Sequence, residues 1–303
     1  MGKASRNKRD NARERIAAQR AAARRAERRN RMLWTGGSIL GVIVIVVAFI
    51  VIKTTQSPAS ANSSDSTSPA GTALPASVIK DITTVPASTL ASVATGTAYA
   101  KSVSLVSSAT PLTSGGKPEV LYIGAQYCPY CATERWSLAV ALSRFGTFHG
   151  LSGIHSAGGQ EVYPHTATLN FYKTSYTSNY LTFTPVEQET VSEKPLEKLT
   201  SAQTALITKY DSPPYVSSSE QGAIPFIDFG GKYFVHGAQY NPQVLSGQTW
   251  AQVAAALKDP SSAIAKGADG AANMITATIC KVTNNQPSNV CTTPTIKTIE
   301  GQI

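Results

Sequence analysis

Residues 120–145 read VLYIGAQYCPYCATERWSLAVALSRF, an apolar run that passes through Cys128-Pro129-Tyr130-Cys131 into a stretch with helical spacing. Val120 to Ala125 is short, β-branched and aromatic, and Gly115-Gly116 and Pro118 bound it upstream, the signature of a buried central strand. From Pro129 to about Phe145, Trp136, Leu138, Val140 and Leu142 recur at helical spacings. A strand therefore runs directly into a helix, with Cys128 at the junction.

That junction favours thiol chemistry. Cysteines three apart on a first helical turn share a face, so Cys128 and Cys131 can close a disulfide or present two thiols with little backbone movement. Pro129 suits the first helical position, where its missing N–H costs nothing, and this leaves Cys128 as the N-cap. Its sulfur then meets unpaired backbone N–H groups and the positive end of the helix dipole, which favour thiolate over thiol. Cys128 is expected to be the nucleophile, and Cys131, one turn in and more buried, to resolve its mixed disulfides.

Outward from this unit, Val85 to Gly96 suggests a short helix, and Ala167–Tyr172 and Tyr180–Val186 suggest strands. Leu196–Tyr210 reads as a helix ended by Pro213-Pro214. Ile224–Phe229, Gly230-Gly231 and Lys232–Val235 form a hairpin pattern, and a last helix is expected at about Gln248–Leu257. The aromatics Phe171, Tyr172, Tyr180 and Phe183 are read as core rather than as a groove lining. The class is α/β.

The ordered set of a strand, Gln126-Tyr127-Cys128-Pro129-Tyr130-Cys131, a helix and then Ile224-Pro225 before a hairpin resembles the thioredoxin superfamily. The inter-cysteine dipeptide is similar to that of glutaredoxins. The wider pattern behind an N-terminal anchor resembles an uncharacterised thioredoxin-like family of actinobacterial and archaeal membrane proteins. The resemblance implies a thioredoxin-like central mixed sheet with flanking helices and, because Cys131 and Pro225 are far apart, an enlarged middle from about Gly146 to Ser219. It also implies a substrate groove formed by Pro129, Tyr130, Ile224 and Pro225, with Pro225 as a cis-proline. Where thioredoxins carry a buried Asp on the central strand, this chain has Tyr122; Glu134, nearby in sequence, is expected to be a solvated surface charge.

Charge and hydropathy organise the rest. Of a net charge of +9, residues 1–32 carry 12 Lys+Arg against 3 Asp+Glu, so the remainder is electrically balanced. Leu33–Ile52 holds no charge and is long enough to cross about 30 Å of hydrocarbon as a helix. The chain reads as a basic cytoplasmic tail (1–32), a transmembrane helix (33–52), a Ser/Ala/Thr/Pro-rich linker (53–77) and an extracytoplasmic thioredoxin-like domain (78–303). A cleavable signal peptide with a site at Ala59-Ser60-Ala61 competes, but such apolar regions span only about 7 to 15 residues. The expected tail partner is anionic lipid rather than nucleic acid, because no aromatic stacking residues accompany the arginines.

An even cysteine count on the oxidising side of a membrane makes Cys280 and Cys291 a structural disulfide. Half a zinc site, with Cys128 and Cys131 joined by His149, His155 or His165, is the competing use of the motif, yet nothing else has ligand spacing. Neither a metal nor an organic cofactor is expected. The leading function is a membrane-tethered thiol-disulfide oxidoreductase that oxidises or isomerises exported proteins. Its partners are exported protein thiols or disulfides and a membrane or extracytoplasmic redox partner. The alternative is a non-catalytic binding or scaffold domain with a structural Cys128–Cys131 disulfide.

Overall fold

The central strand is where the sequence put it. In the computed structural model, which describes residues 68–106 and 110–303, the apolar run forms a strand over Lys117–Gly124, and Cys128 caps a helix over Pro129–Leu142. In chain order the strands are β1 (Thr72–Ala73), β2 (Val103–Leu105), β3 (Thr113–Ser114), β4 (Lys117–Gly124), β5 (Gly146–His149), β6 (Ser152–His155), β7 (Ala167–Asn170), β8 (Ser175–Ser178), β9 (Thr182–Glu187), β10 (Phe226–Phe229) and β11 (Tyr233–His236). The helices are α1 (Ala76–Thr83), α2 (Ala87–Val93), α3 (Pro129–Leu142), α4 (Ser201–Tyr210), α5 (Trp250–Ala256), α6 (Ala263–Val282), α7 (Ser288–Cys291) and α8 (Pro294–Glu300). The class is mixed α/β, sheets with flanking helices.

β4 lies at the centre of the main sheet. β9 pairs with it in parallel, Tyr122 opposite Pro185 and Gly124 opposite Glu187. β10 pairs antiparallel on its other side, β11 continues outward from β10, and β2 closes that edge. A parallel neighbour needs a crossover, and α3 with the strands that follow it supplies one. Gly230 and Gly231, with φ of 64° and 73°, open the three-residue connection, Gly230 to Lys232, that joins β10 to β11.

Side chains alternate across β4. Val120 and Tyr122 join a large core built with α3, α6 and Ile227, Phe229 and Val235, whereas Leu121 and Ile123 face a smaller cluster with Phe226 and Phe234. α4 covers that second face through Leu206, Ile207 and Tyr210, and both faces of the sheet are thereby dry. Between α3 and β10 the chain adds β6 and β7, which with β1 form a three-stranded sheet ordered β1-β6-β7, then a β5-β8 ribbon, β9 and α4. Phe171 and Phe183 are core residues there; Phe171 meets Tyr122 edge to face with centroids 5.3 Å apart.

Several expectations move. The folded unit begins earlier than Val78: Thr72–Ala73 pairs with β6, and α1 starts at Ala76. The segment before it is held by side chains distant in sequence, with Gln126 Nε2 and Asn170 Nδ2 donating to the Pro69 carbonyl at 2.7 and 3.0 Å and Ser152 Oγ to that of Ala70 at 2.8 Å. Its own small residues gave no sign of these partners. The helix expected from Leu196 starts at Ser201 behind a Thr200–Gln203 capping box, because the N–H groups of Leu196 and Glu197 are taken by the Gln188 and Glu187 carbonyls.

The helix near Gln248 is not the last. α6 follows it for 20 residues, with Ser262 Oγ accepting from Ala265 N at 2.9 Å as its cap, and packs along α3. α7 and α8 complete the C-terminus, and the disulfide Cys280–Cys291 joins α6 to α7. The basic tail, the candidate transmembrane helix and the linker as far as residue 67 lie outside the described residues. Among the described residues no helix is long and apolar enough to cross a membrane.

Candidate functional site

Two neighbours fix the cysteines. Cys128 has extended backbone angles as the N-cap of α3, and its Sγ accepts the Cys131 N–H at 3.3 Å, the orphan donor that an N-cap side chain satisfies. On its other side the Cys128 thiol donates to the Ile224 carbonyl at 3.7 Å, so the dithiol and the Ile224-Pro225 loop meet at one point although they are far apart in sequence. The Ile224–Pro225 bond is cis; Pro225 is buried and Ile224 half-buried. Both cysteines are free thiols. Cys128 is 5% exposed and Cys131 fully buried, which gives them different work. Tyr130 stands exposed between them at the surface.

Electrostatics separate the two sulfurs further. The hydrogen bond from the Cys131 thiol, backed by the Cys131 and Tyr130 N–H groups and the positive charge of Arg135, holds the Cys128 thiol below its ordinary value against the opposing effect of burial. Burial pushes the Cys131 thiol well up, and its bond to Cys128 adds to this. One exposed-side thiolate former above one buried thiol is the division that nucleophilic attack followed by resolution requires.

Beneath the dithiol lies a buried ion pair that the sequence did not reveal. Arg135 Nε and Nη2 donate to the two carboxylate oxygens of Glu187 at 2.8 and 2.7 Å, and Nη2 also donates to the Ala125 carbonyl at 2.7 Å. Both side chains have no solvent exposure. Burial alone would depress the guanidinium; Glu187 more than reverses this and keeps it charged. Arg135 sits one helical turn beyond Cys131, a spacing visible in the sequence, but its partner depends on β9 pairing with β4 in the right register.

Tyr122 occupies the place beside Cys131. A Cβ on Gly124 would collide with Tyr122 Oη and stand 3.0 Å from Cys131 Sγ, so hydroxyl and sulfur converge over a glycine that leaves them room. Among the described residues the hydroxyl has no hydrogen-bond partner, its ring lies 5.8 Å from the Arg135 guanidinium, and burial raises its pKa well above the usual phenol range.

Glu134 is not a surface charge. It is fully buried, its Oε2 accepting the Gln239 N–H at 3.0 Å, and burial pushes its carboxyl up to about 8. The cause is α6, which covers the side of α3 that would otherwise face water. The three candidate zinc histidines are dispersed: His149 is on β5 beside Thr177, His155 packs on Trp250 with the rings tilted by 45°, and His165 packs against Gly158. Among the described residues no three His, Cys, Asp or Glu side chains gather as a metal site would need.

Residues 104–281, more than half of the chain, match one family, the Domain of unknown function (DUF929). The chain belongs to that family. The matched span runs from β2 through nearly all of α6 and contains Cys128, Cys131, Arg135, Glu187 and Pro225, while Cys291 and the segment around Pro69 fall outside it. No curated protein matches the chain, and no solved structure does.

Proposed function

We propose that this DUF929 member is a thioredoxin-like thiol-disulfide oxidoreductase, tethered by residues 33–52 and acting outside the membrane on exported proteins. The observation that carries the reading is the Cys128 sulfur, set at the N-cap of α3 with a buried thiol behind it and the Ile224-Pro225 loop in front. A CxxC at the turn of a β-α-β unit with a parallel partner strand supports a thioredoxin-like assignment. So does the run from Ile224-Pro225 straight into the β10-β11 hairpin.

The chemistry follows from the two sulfurs. Cys128 thiolate attacks a substrate disulfide, a Cys128–substrate S–S bond forms, the substrate's own S–S bond breaks, and one substrate sulfur leaves as thiolate. Cys131 then gives up its proton, through water, to the substrate thiolate released in the first step and attacks Cys128 Sγ, forming the Cys128–Cys131 disulfide and releasing the second substrate sulfur as thiolate. The substrate gains two electrons and the dithiol loses them; run backwards, the same steps oxidise a substrate dithiol. Arg135 favours both thiolates without a proton of its own to exchange.

Alkylation of the reduced chain by iodoacetamide between pH 4 and 9, with each cysteine read by mass spectrometry, tests this. Cys128 is expected to react at acidic pH and Cys131 to resist throughout. Equal, slow labelling of both would leave only a scaffold with a structural cysteine pair.

A further inference from the structure

Large apolar side chains left in water concentrate at the mouth of the dithiol. Of the five that are exposed among the described residues, Tyr130 belongs to the motif, Tyr99 acts on its phenol, and Val162 precedes Tyr163, whose ring packs on Tyr130. Tyr130 packs edge to face on Tyr163 with centroids 6.0 Å apart, and its phenol also feels Tyr99 and Cys128. These residues come from separate loops pinned around the motif. The loop carrying Val162 and Tyr163 is tied down where Ala157 N–H donates to the Tyr127 carbonyl at 2.9 Å, and Tyr99 N–H donates to the Gln239 carbonyl at 2.7 Å. A soluble surface that exposes grouped aromatic area beside a reactive sulfur marks a contact for another apolar surface.

The charges at this mouth narrow the choice. Carboxylates act on the rim, Glu189 and Glu193 on Tyr127 and Glu161 on Tyr130, whereas the cation that acts on the cysteines, Arg135, has no solvent exposure. Glu189 is fixed there because its carbonyl accepts the Gln126 N–H at 2.9 Å. Glutathione disulfide is a small anion without apolar side chains, so it gains nothing from the tyrosines and is opposed by the carboxylates.

We infer that the dithiol mouth takes an extended polypeptide segment with large apolar side chains flanking its cysteine, as an incompletely folded chain presents, in preference to small acidic thiols. The inference rests on the oxidoreductase reading. The aromatic rim supplies contact area at low entropic cost, since each tyrosine has few rotatable bonds.

The test compares four disulfides with the reduced full chain by stopped flow: a dimerised peptide with Phe and Leu around its cysteine, one of equal length with Gly and Ser, glutathione disulfide, and the neutral reagent 2,2′-dithiodipyridine. The apolar peptide is expected to react about tenfold faster than the Gly/Ser peptide, and glutathione disulfide more slowly than either. Tyr99→Ser/Tyr163→Ser should erase most of the peptide preference, and Tyr99→Phe/Tyr163→Phe should keep it. Equal rates for the two peptides, or glutathione disulfide as the fastest of the three biological probes, would overturn the inference while leaving the oxidoreductase in place. Failure of Cys128 to react with dithiodipyridine would remove the oxidoreductase reading itself, and the docking proposal with it.

Discussion

Replacing Glu134 by Gln should make the fold less sensitive to alkaline pH. The carboxyl is fully buried, among the described residues only the Gln239 N–H satisfies it, and its pKa is raised by burial from 4.5 to about 8. Between those values the native state holds a proton that the unfolded chain has released, so stability is highest in acid and falls as pH rises towards 8. Integrated from pH 5.5 to 8, the protonation difference amounts to about two pH units at 1.36 kcal/mol each, a loss on the order of 3 kcal/mol from this one group. Asp269 and Asp228, raised by burial to about 8 and about 7, add to the fall in the same direction. The amide of Glu134→Gln keeps the shape and the acceptor for Gln239 and has no proton to lose. Urea titrations at pH 5.5 and 8, followed by the fluorescence of buried Trp136, measure the difference. The variant should equal wild type at the lower pH and exceed it by about 3 kcal/mol at the higher. A variant whose stability drops with pH as steeply as wild type would refute a buried, protonated Glu134.

Other perturbations probe the remaining parts of the site. Arg135→Met leaves Glu187 charged and buried without a partner, so it should cost about 3 to 5 kcal/mol in urea unfolding, and adding Glu187→Leu should restore most of that. In both variants the Cys128 thiol pKa should rise but stay lowered, because the cation is gone while the Cys131 thiol and N–H remain; a thiolate absorbance titration at 240 nm reads this. Gly124→Ala drives a methyl into Tyr122 Oη and Cys131 Sγ and should destabilise by about 1 to 3 kcal/mol, an unchanged unfolding midpoint being the contrary result. Removing the Cys280–Cys291 bridge, which spans 11 residues, with a Cys280→Ser/Cys291→Ser variant should lower stability by roughly 2 to 3 kcal/mol. In that variant, glutathione equilibration should place the Cys128/Cys131 couple near −200 to −230 mV, more oxidising than the thioredoxin value of about −270 mV, since stabilising the Cys128 thiolate favours the reduced form.

The parts of the fold written in local pattern were legible. The β4-α3 junction, the Gly230-Gly231 hairpin and the Cys280–Cys291 pair each follow from residues that are neighbours or share one chemistry. What stayed hidden depends on packing between distant segments. α6 was missed because Gly267 and Gly270 weaken its helix propensity; both are needed where Tyr240 and Thr95 press against the helix, and Ile264, Ala268, Ala271, Ile275 and Ile279 still carried a helical apolar period behind a Ser262 cap. Missing α6 led directly to the wrong environment for Glu134. The Arg135–Glu187 pair needs the β4-β9 register, and the hold on Pro69 needs Gln126 and Asn170 brought together, neither of which periodicity encodes.

Trapping the exchange intermediate examines the role of the dithiol at its source. A Cys131→Ser chain, incubated with a disulfide-bonded exported protein under native conditions and quenched in acid, should accumulate a mixed disulfide through Cys128, identified by mass spectrometry and released by dithiothreitol. The Cys128→Ser chain should trap nothing, because the remaining Cys131 is buried and its thiol strongly protonated. Equal trapping by both variants, or by neither, would contradict a Cys128 nucleophile resolved by Cys131.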